Sequence, residues 1–85
     1  MDWNVFVDPK EVNMTTNDGF MILKIEEVNE SPWKMSLMEN GFVPGTIIHV
    51  KINSILGFVT CRLRGAHFAL RMDAYKSMML KPTHY

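Results

Sequence analysis

The 85-residue sequence holds one cysteine, Cys61, so no internal disulfide can form and the fold must rest on its core. No apolar run approaches the length of a membrane-crossing helix. Net charge is zero, with nine basic side chains against nine acidic, which removes support for generic nucleic-acid binding. No glycine-rich phosphate loop occurs, so the chain itself is not expected to bind GTP. Repeats and low-complexity tracts are also absent. Met1-Asp2-Trp3 lacks a basic start followed by an apolar core, so no secretory signal is expected and a reducing, cytoplasmic setting fits best. One small domain follows from the length.

Chemistry-bearing residues are equally sparse. His67 and Asp73 form the only acid–base pair on offer, and no nucleophile accompanies them. Ser54 and Thr60 have no base nearby. The expectation is a non-enzyme with no catalytic residue and no cofactor. His49, His67, His84 and Cys61 are the only soft metal ligands, and no C-x-x-C or H-x-x-x-H spacing joins them. The strand register below turns Cys61 inward and puts a strand between His49 and His67. No intrinsic metal site is therefore expected, with weak surface binding at His49 or His67 left open.

What is present is alternation and turn chemistry. Phe20 to Val28 reads as a strand with Met21, Leu23 and Ile25 inward and Ile22, Lys24, Glu26 and Val28 outward. Ser31 and Pro32 suit a helix N-terminus, and Trp33 to Asn40 then gives about two turns. Gly41 suits the left-handed residue that closes such a helix. Pro44-Gly45 suits a type II turn. A strand over 46–53 and another over 58–64, joined by a four-residue loop ending at Gly57, pair Ile48, Val50 and Ile52 with Leu63, Cys61 and Val59. Gly65-Ala66 predicts a two-residue hairpin that pairs Arg64 with His67 and Cys61 with Leu70. Asp73 is placed as the cap of a helical turn, and Met78 to Leu80 as a last strand closed by Pro82. Five short strands and little helix predict a mainly β, barrel-like domain over 21–82. Residues 1–20 are read as a leader with an edge strand near Trp3 to Val7 or as partly disordered, and 83–85 as a tail.

Charge is divided along the chain. Residues 1–40 carry eight acids against three lysines, while 41–85 carry Asp73 alone against Lys51, Arg62, Arg64, Arg71, Lys76 and Lys81. The register gathers Lys51, Arg62 and Arg64 on one outward face beside Ile47 and His49, with Arg71 opposite Thr60. This face suits an acidic protein partner or an anionic membrane surface; the alternative is that the acidic leader covers it. On the helix, Leu37 is expected buried, with Met38 and Phe42 at an apolar rim fit for docking and Met35 partly exposed. Eight methionines read first as core filling, with Met21 and Met78 inward.

In order and spacing, Leu37-Met38-Glu39-Asn40-Gly41-Phe42-Val43-Pro44-Gly45-Thr46, Ile55-Leu56-Gly57, Arg62-Leu63-Arg64-Gly65, Phe68-Ala69-Leu70-Arg71 and Met78-Met79-Leu80 resemble the FeoA family, small SH3-like ferrous iron transport proteins. The resemblance covers about residues 21–82. Asn40 stands where the family usually has leucine and Ile55 where it has proline, and the acidic leader is longer than the family needs. The resemblance implies an SH3-like barrel and a cytoplasmic accessory role. The implied partner is a FeoB-type membrane ferrous permease bearing a GTP-binding domain, bound by protein–protein interaction, with the membrane met only through that partner. Two alternatives stand beside it. One is a regulatory interaction domain of metal-dependent transcription control, without a DNA-reading helix. The other is a small metal-binding protein. Oligomeric state is open, a homo-oligomer included.

Overall fold

The computed structural model describes residues 19–53 and 55–83. In chain order these form β1 (Met21–Val28), α1 (Lys34–Glu39), β2 (Ile47–Asn53), β3 (Phe58–Leu63), β4 (Ala66–Arg71), α2 (Met72–Lys76) and β5 (Met78–Pro82). The expected edge strand near Trp3, and with it His84 and Ser54, lies outside the described residues. The strands make one antiparallel sheet in the order β4-β3-β2-β1-β5. In a flat sheet the two outer strands would stand about 19 Å apart. Their connection is the single short helix α2, which rises only about 8 Å and packs against β3, β4 and β5. The sheet must therefore curl, and the mainly β barrel-like architecture follows from this closure.

Alternation fills the inside. Leu23 and Ile25 on β1, Ile48 and Val50 on β2, Val59 and Cys61 on β3, and Met78 on β5 are all completely buried. The β2–β3 ladder has the predicted register, with Val50 opposite Cys61, Ile52 opposite Val59 and Asn53 opposite Phe58. Burial of this apolar set, at about 25 cal/mol per Å², is the main force holding so small a fold.

Three local readings need correction. On β1, Ile25 faces Leu80 but Glu27 faces Met79, so Glu26 is one residue too many for its partner strand. That bulge reverses the parity and turns Val28 into the core, where simple alternation puts it outside. Ile22, also expected outside, is buried as well, although it lies on the opposite face from the core with His49 as its partner. At the β3–β4 hairpin the turn is Arg64-Gly65, both at positive φ (51° and 84°), a type I′ arrangement rather than Gly65-Ala66. Phe68 then faces Cys61 and Leu70 faces Val59. The register moves by two residues, which leaves every side chain on its predicted face, so apolar sorting could not tell the two apart. The helix termini differ too. Ser31 Oγ accepts the Trp33 N–H at 3.2 Å, in a turn that precedes α1. Asp73 lies within the first turn of α2 rather than capping it.

The segment that leads from α1 into β2 fixes how the helix lies on the barrel. Gly41 has φ +99°, and its N–H donates to Met38 O while the Phe42 N–H donates to Leu37 O at 2.9 Å. This is a Schellman closure, and its usual apolar contact is made by Leu37 and Phe42, both buried. A type II turn follows: the Thr46 N–H donates to Val43 O at 3.1 Å and Gly45 has φ +91°. The turn is pinned to β1 by the Gly45 N–H to Ile25 O and the Ile25 N–H to Thr46 O.

Candidate functional site

Two surfaces have the composition of contact sites. The first is the outward face of β2 and β3. The register sets His49, Arg62 and His67 in one rung across three strands, with Lys51 opposite Thr60 beside it. Arg62 is half-buried. Its guanidinium stands over the Phe20 ring, 4.0 Å from the centroid, and donates to His49 Nδ1 at 3.3 Å. An arginine only donates, so Nδ1 carries the lone pair and the ring proton sits on Nε2. Lys51 Nζ approaches the same Phe20 ring at 5.6 Å. Both cations approach one aromatic ring, whose quadrupole favours positive charge there. Beside them, Ile47, His49, Arg62, Arg64 and Gly65 line an open depression of about 340 Å³. The arrangement sets the exposed Arg64 beside Arg62, with Ile47 as an apolar wall, a setting in which a carboxylate is attracted.

Arg71 does not belong to this group as expected. It faces Phe58, with Ala69 in the place opposite Thr60. Its guanidinium lies 5.5 Å from the Trp33 ring, and it lines a separate hollow with Gly57, Met72 and Asp73.

The second surface is α1. Leu37 and Trp33 pack on the core, as their spacing predicts. Met35 is 74% exposed and Met38 39%, and with Glu30, Ser31, Lys34 and Glu39 they line a shallow depression of about 580 Å³. Lys34 Nζ pairs with Glu30 Oε1 at 2.8 Å on its rim. Phe42, expected at this rim, is completely buried: the Schellman closure turns it inward, where its ring meets Phe68 edge to face at 5.1 Å. Leu37 is likewise too buried to touch a partner directly. Methionines here give an adaptable, polarizable apolar patch.

Among the described residues no three metal-ligating side chains come together. His49 and His67 have Arg62 between them, a fixed positive charge that opposes a cation at that rung. Cys61 is completely buried, and burial pushes its thiol up to about 12, so no reactive thiolate is available near neutral pH. Among the described residues no helix is long and apolar enough to cross a membrane.

Sequence reasoning missed three participants. Phe20, read only as the start of a strand, is the platform for Arg62. Ile55 and Leu56, at the tip of the β2–β3 loop, are 92% and 66% exposed. Two large apolar residues inside a four-residue loop have no strand face to share, and that signal was legible.

Comparison with known proteins bears on this geometry. The family model described as FeoA domain matches residues 18–82. Among solved structures, the chain is similar to the NMR structure of a FeoA-like protein from Clostridium acetobutylicum, at 24% identity and a TM-score of 0.65, covering 93% of this chain and 91% of that one. At that identity the likeness shows the fold, which agrees with the SH3-like barrel expected. No curated protein matches the chain.

Proposed function

The chain belongs to the FeoA domain family, and on that premise we propose that it is a non-enzymatic accessory protein of ferrous iron transport, acting in the cytoplasm by binding a FeoB-type permease that carries a GTP-binding domain. The observation that carries the reading is the family match over residues 18–82, which spans all five strands and both helices. The two surfaces support it. The exposed Arg64, beside Ile47 and Arg62, offers positive charge to acidic side chains of a partner, which speeds encounter and sets orientation. Met35 and Met38 offer the apolar contact from which affinity comes. The chain then works as a rigid wedge: its Schellman closure and its Pro-Gly turn lock α1 to the barrel, so a push on α1 is transmitted to the basic face. Co-purification tests the reading. The tagged chain should retain the detergent-solubilised permease from the same organism, and Met35→Glu/Met38→Glu should release it. A chain that retains no permease, with or without guanine nucleotide, contradicts the proposal.

A further inference from the structure

The β2–β3 tip does not belong to either surface described above. Ile55 and Leu56 stand at the crest of a hairpin with most of their side-chain area in water. The crest is not loosely held at its base: Asn53 Oδ1 accepts the Leu56 N–H at 3.0 Å and Asn53 O accepts the Gly57 N–H at 2.9 Å. Exposing two adjacent large aliphatic residues on a braced turn is unfavourable in water unless something covers them. By itself the spot is far smaller than the about 800 Å² on each side that a stable protein interface buries. Its surroundings are basic. Arg71 lies on the first rung beneath the loop, opposite Phe58, and Lys51 two residues before Asn53. Asp73 lines the hollow beside Arg71 and Gly57, in a half-chain whose other charged side chains are six bases. An apolar crest above a basic collar is the chemistry of the interface of an anionic bilayer.

We propose that the β2–β3 tip is a lipid-insertion element: Ile55 and Leu56 enter the acyl boundary of an anionic membrane while Arg71 meets its headgroups. This contact is direct and does not rest on the iron-transport reading, because bare lipid suffices to show it. It would hold the barrel against the membrane with the tip down, which limits the orientations in which a membrane partner is met.

Sedimentation with vesicles tests it, using phosphatidylcholine alone and phosphatidylcholine mixed with phosphatidylglycerol. The wild-type chain should bind the mixed vesicles and bind neutral ones more weakly. Ile55→Ser/Leu56→Ser should lose about tenfold or more in binding. Its urea midpoint should not move, since both side chains are exposed. Arg71→Gln should lose about fivefold. A polarity-sensitive fluorophore attached at Leu56→Cys should shift to the blue on mixed vesicles, and the buried Cys61 leaves that attachment unique. Absence of wild-type binding to mixed vesicles overturns the proposal, as does equal binding by the double variant. Loss of self-association or of permease binding in the double variant, with no vesicle binding by the wild type, would assign the tip to a protein contact instead.

Discussion

Replacing Gly41 and Gly45 by alanine, one at a time, separates backbone strain from packing in the segment that locks α1 to the barrel. Both have strongly positive φ, +99° and +91°, where an L side chain costs ~2 kcal/mol. They differ in what a methyl group would meet. At Gly45 nothing lies within 4 Å, so the cost is strain alone. At Gly41 the new Cβ would stand 3.1 Å from Leu63 Cδ2, and Leu63 is itself in the core and cannot swing outward. Overpacking of that kind adds ~1 kcal/mol or more. The expected losses are therefore about 2 kcal/mol for Gly45→Ala and about 3 kcal/mol for Gly41→Ala. With a urea m-value near 1 kcal/mol/M, the midpoints should fall by about 2 M and 3 M. Equilibrium urea unfolding followed by circular dichroism reads both. Equal midpoints for the two variants would refute the packing argument, and a Gly45→Ala midpoint equal to wild type would refute the type II turn.

Arg64 occupies a left-handed position that asparagine tolerates better, so Arg64→Asn should raise stability by about 0.5–1 kcal/mol in urea unfolding; destabilisation would contradict the type I′ turn. Leu37→Ala should cost about 2–4 kcal/mol, whereas Met35→Ala should leave stability within about 0.5 kcal/mol of wild type and weaken only partner binding. Because burial raises the Cys61 thiol to about 12, the folded state keeps its proton while the unfolded thiol loses one above pH 9. The stability tied to this group is whole below pH 9 and declines from there towards pH 12, by at most about 1.4 kcal/mol per pH unit. Urea unfolding at pH 8 and pH 10.5 should show a larger drop for the wild type than for Cys61→Ala; parallel drops would contradict this burial.

Much of the barrel was legible because its strands alternate cleanly and its turns are chemically marked. The β2–β3 register came from parity and loop length alone, and Gly41 and Pro44-Gly45 came from turn stereochemistry. Two of the strand misreadings come from parity, which does not register a slip of two residues and gives no sign of a bulge. A two-residue slip at Arg64-Gly65 keeps every face, and the single extra residue at Glu26 reverses the face of Val28 without any local mark. Lys51 and Arg62 were placed on one face by counting. Their support by Phe20 depends on how the start of β1 lies across β2 and β3, which spacing does not encode. Phe42, expected at the rim with Met38, is buried because the Schellman closure redirects the chain.

What remains is the proposed docking of this face and α1 on a FeoB-type permease. Its most direct test is the affinity of the chain for the detergent-solubilised permease, measured across a salt series for the wild type and for Arg62→Glu/Arg64→Glu. Saturable wild-type binding that weakens with salt is expected. For the double variant the expected affinity is lower by about tenfold or more with a flatter salt dependence, and its unfolding free energy is within about 1 kcal/mol of wild type. Undiminished binding by a double variant that unfolds early would contradict it and give the basic face to the fold alone.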